Sequence, residues 1–240
     1  MKKVRLRTIL AVIAIVALSV LFALKAPAFN VSKYEVNGNK YYTDDEIVNM
    51  GHCDYGKNIF TGVDCGDIRE RLMRDPYMIR VSVRRKLPST VTINVTERTQ
   101  VAGIVYGESY VVIDEEGIVL RKTTVDPKVT VLRGLSISGM TLGEPIKVDE
   151  EVLMRQCMDI IKTMQANNMY FKSITISQAE AKAYVLDSLL VRGLPENILT
   201  ALENKDIQLV VQELFDKGIE RGTIKVTGDN YVYFTPEVEH

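Results

Sequence analysis

Asp75-Pro76-Tyr77-Met78-Ile79-Arg80-Val81-Ser82-Val83-Arg84-Arg85-Lys86-Leu87-Pro88-Ser89-Thr90-Val91-Thr92-Ile93-Asn94-Val95-Thr96-Glu97 is the stretch from which the fold can be read outward. Ile79, Val81 and Val83 alternate with other residues, and after Leu87-Pro88-Ser89 so do Val91, Ile93 and Val95. Period two in consecutive runs predicts two neighbouring strands, each with one buried face. Asp75-Pro76 marks a stop, because a residue before proline is pushed out of the helical region. Upstream of it, Asp64 to Arg74 reads as a helix with Ile68 and Leu72 one turn apart. Before that, Thr43-Asp44-Asp45-Glu46 has the form of a capping box, followed by Ile47, Val48 and Met50 on an apolar face and Gly51 as a stop. Val31 to Val36 reads as a strand ended by Asn37-Gly38-Asn39, a strong turn signal. The order β-α-α-β-β predicts a compact α+β module with helices on one side of a three-stranded sheet.

Past Glu97-Arg98 the texture changes. Tyr110 to Ile113 and Ile118 to Leu120 form a hairpin around Asp114-Glu115-Glu116-Gly117, and Val129 to Leu132 is a further strand. A capped helix is expected from Asp149 to about Asn167, with Leu153, Cys157, Ile160, Ile161 and Met164 on one face. Strands follow at Ser173–Ser177, Ala183–Leu186 and Leu189–Arg192, then a helical segment from Pro195 to Lys217 with a break near Asn204-Lys205-Asp206. Thr223–Val226 and Tyr231–Thr235 close the chain around Thr227-Gly228-Asp229-Asn230. This is a second, strand-rich α+β domain.

The 240-residue chain has an ordinary apolar share of 46% and charged share of 25%, which excludes wholesale disorder and a multi-span membrane protein. One segment is anomalous. Ile9 to Leu24 is apolar except for Ser19, with Lys2, Lys3, Arg5 and Arg7 before it and Lys25 after it. Ala26-Pro27-Ala28-Phe29 extends it to a span of 9–29, and the positive-inside rule leaves residues 1–8 as a cytoplasmic tail and the bulk of the chain outside. The rival is a cleaved signal peptide, since Ala26-Pro27-Ala28 has the small-x-small form. The run exceeds the usual ~7–15-residue apolar region of such peptides and a Pro and a Lys crowd the cut, which favours a single-pass anchor. With the anchor's basic residues set aside, the remainder is acidic, so no nucleic-acid partner is expected.

The chemistry-bearing residues are few. The chain has two histidines, His52 and the terminal His240, and no nucleophile signature accompanies either. His52, Cys53, Cys65 and a nearby Asp lack the paired short spacings of a zinc site, and no glycine spacing resembles a nucleotide loop. The acidic groups Asp44-Asp45-Glu46 and Asp149-Glu150-Glu151 sit at helix N-termini, where the dipole accounts for them. No catalytic residue, metal, cofactor or small-molecule substrate is expected. Of the three cysteines, Cys157 reads as buried filler, whereas Cys53 and Cys65 leave two readings open, a disulfide closing a short loop or reduced thiols beneath it. Arg80, Arg84, Arg85 and Lys86 form one dense basic patch, better read as a charged edge strand than as a lipid-headgroup site. Tyr231-Val232-Tyr233-Phe234 puts four large residues in the last strand. At an edge they would suit strand addition by a partner, and in a sheet interior they would be core.

Taken in order, Val36-Asn37-Gly38-Asn39, Gly56-Lys57-Asn58-Ile59-Phe60, Asp75-Pro76-Tyr77, Val83-Arg84-Arg85-Lys86-Leu87-Pro88, Val95-Thr96-Glu97-Arg98, Val101-Ala102 and Ile113-Asp114-Glu115-Glu116-Gly117-Ile118-Val119-Leu120 resemble the FtsQ/DivIB family of bacterial division proteins. Gly222-Thr223-Ile224 and the final tyrosines extend the likeness more loosely, and the short tail looks like a compact Gram-positive-type member. The resemblance implies a POTRA domain at 30–97, the family's β domain at 98–236 and a short tail at 237–240. It implies a non-enzymatic divisome scaffold at the septal plasma membrane that joins FtsL and FtsB/DivIC-type partners and helps control septal peptidoglycan synthesis. In that family the final strand of the β domain pairs with the FtsB-type partner, which maps to Tyr231, Val232, Tyr233 and Phe234; the POTRA domain is associated with recruitment, and its second strand, about Ile79 to Arg85, is the open edge. Cys53 and Cys65 depart from the family pattern. Two other classes remain in view: a POTRA-bearing outer-membrane assembly or secretion factor, which would need POTRA repeats or amphipathic barrel strands, and a secreted binding protein after signal cleavage.

Overall fold

A computed structural model of the chain describes residues 2–228 and 231–236, apart from the side chains of 2–7 and 23–25. The 237–240 tail with His240 lies outside the described residues, as do Asp229 and Asn230. The chain divides into two compact units, Met1–Arg98 and Thr99–His240.

Helix α1 (Lys2–Lys25) holds the apolar run. Among the described residues no helix is long and apolar enough to cross a membrane. The described side chains of α1, residues 8–22, are exposed on every face. Its one polar residue inside the run, Ser19, satisfies its own hydroxyl by donating to Ile15 O at 2.9 Å.

The rest of the first unit runs β1 (Lys33–Asn37), α2 (Asp44–Met50), α3 (Cys65–Leu72), β2 (Met78–Lys86) and β3 (Thr90–Glu97). The strand order is β1-β3-β2, with β3 central, parallel to β1 and antiparallel to β2. Ile47, Val48, Ile68 and Leu72 pack onto Val81, Val91, Ile93 and Val95. Thr43 and Glu46 form the reciprocal capping box at α2, and Asp64 caps α3 by accepting from Gly66 N and Asp67 N at 2.8 and 3.1 Å. The periodicity of β2 fails at its start. A bulge between Met78 and Arg80 turns Met78 inward and leaves Ile79 exposed, so the buried face is Met78 and Val81 rather than Ile79 and Val81. A cis Leu87–Pro88 bond lies in the turn to β3.

The second unit contains β4 (Ala102–Tyr106), β5 (Ser109–Ile113), β6 (Val119–Thr123), β7 (Thr130–Arg133), β8 (Ile137–Gly139), β9 (Lys147–Val148), α4 (Glu151–Ala166), β10 (Ser173–Ile176), β11 (Ala181–Tyr184), β12 (Leu189–Gly193), α5 (Pro195–Glu203), α6 (Asp206–Asp216), β13 (Gly222–Val226) and β14 (Val232–Thr235). Nine strands make one mixed sheet in the order β14-β13-β12-β11-β10-β7-β4-β5-β6, and β8 pairs with β9 apart from it. Alternate residues such as Leu132, Ile174, Ile176, Val191 and Ile224 share one core with Cys157, Ile160, Ile161 and Met164 of α4 and with Ile198 and Leu202 of α5. Two expectations need correction. Helix α4 has no side-chain cap: its N-cap Glu150 instead accepts from Ser136 N and Oγ at 2.7 and 2.9 Å. Its inward first-turn residue is Met154, with Leu153 only half-buried. The break between α5 and α6 falls at Lys205, in the left-handed region at φ 66°.

Both units use one glycine device. Gly38 follows β1 and Gly134 follows β7, each just past the end of a strand that has a parallel neighbour, at φ 88° and 89°. A Cβ on Gly38 would stand 2.2 Å from Val95 O, and one on Gly134 2.1 Å from Ile176 O. Only glycine lets the chain leave that close to the neighbouring strand.

Candidate functional site

The last strand, β14, is an edge. It pairs antiparallel with β13 through Thr223↔Thr235, Ile224↔Phe234, Lys225↔Tyr233 and Val226↔Val232, and among the described residues nothing in the sheet lies beyond it. Thr227 N donates to Tyr231 O at 3.1 Å. Hydrogen-bonded and non-bonded pairs alternate in an antiparallel ladder, so Lys225/Tyr233 and Thr223/Thr235 are the bonded pairs. The backbone N–H and C=O of Val232 and Phe234 therefore point out from the sheet.

The side chains divide the other way. Tyr231 and Tyr233 are 70% and 45% exposed, whereas Val232 and Phe234 pack against the core. Phe234 is fixed in place by Gly222, at φ 136°, where a Cβ would lie 2.4 Å from Phe234 Cε2. Lys225 Nζ sits 5.9 Å from the centre of the Tyr233 ring. The strand thus offers outward main-chain groups from Val232 and Phe234, and tyrosines on the sheet face away from the helices. Lys225 is a supporting residue that the sequence alone does not mark, and Gly222 enters only through the looser likeness of Gly222-Thr223-Ile224; a glycine at the head of a strand, opposite an aromatic, is the signal for its local role.

The other candidates are dispersed. The basic run does not act as one patch: Arg85 turns back to donate to Ile59 O and Val63 O at 2.7 and 2.6 Å, and Lys86 pairs with Glu35 at 3.0 Å. Arg80 and Arg84 stay exposed on β2, the outer strand of the small sheet. His52 adopts φ 50° just after α2. Cys53 and Cys65 are free thiols, both half-buried against the core of the first unit, and Cys157 is free and fully buried in the second. Burial pushes the Cys53 thiol up to about 11 and the Cys157 thiol up to about 12. Among the described residues no group of three or more His, Cys, Asp and Glu is placed to hold a metal ion.

The open face of the large sheet holds a groove of about 790 Å³ whose lining includes Tyr110, Arg133, Tyr170, Lys172 and Tyr184. Lys172 is already paired with Asp187 at 2.5 Å. Val131, Ser173 and Thr175 are part of its strand-borne wall.

Comparison with known proteins accounts for this architecture. The POTRA domain, FtsQ-type, matches residues 29–98. The cell division protein DivIB of Clostridium acetobutylicum is 30% identical over 207 residues, covering 84% of this chain and 82% of the relative. The chain belongs to the DivIB/FtsQ family of cell division proteins. DivIB of Clostridium tetani is 28% identical over 136 residues, 56% of this chain and 51% of the relative. The extracytoplasmic domain of DivIB from Geobacillus stearothermophilus matches at 12% identity with a TM-score of 0.31, covering 49% of this chain and 96% of the other. Within a DivIB/FtsQ protein the three-stranded unit is the POTRA domain, and its Asp75-Pro76-Tyr77 has a local role. Asp75 accepts from Tyr77 N at 2.9 Å and from Tyr42 Oη at 3.0 Å, and Tyr77 stacks on Tyr41 with ring centres 4.0 Å apart.

Proposed function

We propose that this division protein is a non-enzymatic, single-pass scaffold whose β14 edge takes a strand from an FtsB/DivIC-type partner. Together with FtsL the assembly helps control septal peptidoglycan synthesis. The observation that carries this reading is β14 itself, an outermost strand with outward main-chain groups at Val232 and Phe234 and exposed tyrosines at 231 and 233. An incoming strand would satisfy those groups, and Tyr231 and Tyr233 supply large contact area at low entropic cost.

Membrane attachment is read from the exposed apolar surface of α1, although the described residues by themselves give no helix long and apolar enough to cross. Ile9, Ile15, Leu18 and Phe22 are each more than half exposed. An apolar helix with no protein against any face is stable only where something apolar covers it, and a bilayer does so. The basic residues before the run then set a cytoplasmic N-terminus and external POTRA and β domains. The POTRA domain serves recruitment in this scheme.

Tyr233→Lys tests the partner site. It places a second cation beside Lys225 and should weaken capture of an FtsB/DivIC-type protein about tenfold or more, with the thermal unfolding midpoint unchanged. Wild-type capture by this variant would exclude β14 as the site.

A further inference from the structure

Residues 53–65 join the two POTRA helices, and this loop clasps the point where the chain enters the domain. Val31 N donates to Lys57 O, Gly56 N to Val31 O and Ile59 N to Phe29 O, each at 2.8 Å. Arg85 holds the same loop from the other side through Ile59 O and Val63 O. Both ends of the loop are cysteines, and both pack against the core of the first unit. Cys53 Sγ and Ile68 Cγ2 lie 2.9 and 3.1 Å from one point, the Cβ position that a side chain on Gly51 would occupy. The Cys53 sulfur therefore rests against α3, and Cys65 stands on that same helix one turn before Ile68, at the spacing that puts two side chains on one face. Tyr34 lies close enough to feel the charge of either thiolate, as Cys53 does that of Cys65.

We propose that Cys53 and Cys65 are a modification site: under oxidising conditions they form an intrachain disulfide that closes the 53–65 loop into a ring and fixes the clasp on residues 29–31. This goes beyond the partner role and does not depend on it. With a small-molecule disulfide such as oxidised glutathione as oxidant, one protein thiolate attacks a sulfur of glutathione disulfide and expels one glutathione thiolate. The second protein thiolate then attacks the mixed disulfide and expels the other. Two protein thiols are oxidised to one disulfide and one glutathione disulfide is reduced to two thiols, with no net gain or loss of protons. Burial leaves Cys53 little thiolate at neutral pH, which slows the step in which it attacks.

The full chain, treated with oxidised glutathione and then denatured, should titrate one thiol, that of Cys157, in place of three. Trypsin cuts at Lys40, Lys57 and Arg69, so non-reducing digestion should yield peptides 41–57 and 58–69 as a single linked species two hydrogens lighter than their sum. The POTRA transition should move up by more than ~5 °C on oxidation. In Cys53→Ser and Cys65→Ser the linked species and the shift should both vanish. A chain that keeps three thiols, or that ends with glutathione fixed on Cys65, overturns the proposal, as does a transition lowered by oxidation.

Discussion

The POTRA sheet and the β-domain sheet each end in exposed edges, and the two differ in how those edges are defended. β2 is nine residues long, bears Arg80 and Arg84 exposed on its length, and is bent at its start by the Met78/Arg80 bulge. Charge and a bulge are what keep a long edge from pairing with another chain. β14 has four residues, no charged side chain and no bulge, and it carries tyrosine where β2 carries arginine. One edge resists pairing and the other permits it. What the sheets share is the glycine that ends a strand of a parallel pair beneath a neighbour's carbonyl, Gly38 in one and Gly134 in the other.

The shared device gives the largest expected effects. Alanine at Gly38 or Gly134 must adopt a left-handed backbone and displace a carbonyl 2.2 or 2.1 Å away. Each should cost about 3 kcal/mol or more and lower the midpoint of its own domain by more than ~10 °C. Calorimetry on the whole chain, resolving two transitions, checks whether each substitution acts on one domain alone; an unaltered midpoint for either would break the equivalence drawn between them.

The difference between the edges is tested next. Val232→Pro removes an N–H that β13 does not use, so the fold should survive while partner capture drops more than tenfold. Tyr233→Pro removes a donor that the ladder does use and should loosen β14 itself, visible as faster amide exchange in β13. If Val232→Pro binds as wild type, the outward groups of β14 are not the contact. On β2 the opposite change is informative: Arg80→Ser with Arg84→Ser should promote self-association, seen as a concentration-dependent rise in sedimentation coefficient, whereas wild type stays constant.

These contrasts were legible in the sequence to different depths. The capping box at Thr43 and Glu46 and the turn at Gly38 could be read because local hydrogen-bonding chemistry produces them. Ile79 reads as inward from its period and is exposed, since a bulge changes which parity is buried and depends on the neighbouring strand. β4 gives no strand signal because Ala102 and Gly103 are poor strand formers; Gly103 is there because a Cβ would meet Pro127 Cγ at 2.8 Å, a tertiary constraint. Gly134 has the same geometry as Gly38, yet Arg133-Gly134-Leu135 lacks the flanking asparagines that announce a turn. At β14 the residue types leave edge and centre equally open, because sequence does not give the strand order; the strand is outermost, with its tyrosines outward and Val232 and Phe234 against the core. The four basic residues at 80 and 84–86 read as one patch only because sequence does not show that Arg85 folds back onto the helix loop.

The smallest effect separates the domains by acid. In the POTRA domain Asp64 caps α3, and the N–H groups of Asp67 and then Gly66 hold its carboxyl below its ordinary 3.8. In the β domain Glu150, also held low, is occupied by Ser136 and leaves α4 uncapped. A carboxylate whose folded value is depressed stabilises the fold above its unfolded value, and that contribution is lost as pH falls through the folded one. The Asp64 contribution is therefore complete above about pH 4 and fades below it. Asparagine caps as well as aspartate without titrating, so Asp64→Asn should leave the POTRA midpoint nearly unchanged at pH 7 and make its fall between pH 5 and pH 3 shallower. The β-domain transition should descend as in wild type. Because Asp64 is exposed, the difference should amount to a few degrees at most, and parallel acid profiles for variant and wild type would mean that the α3 cap contributes nothing to the acid response of the POTRA domain.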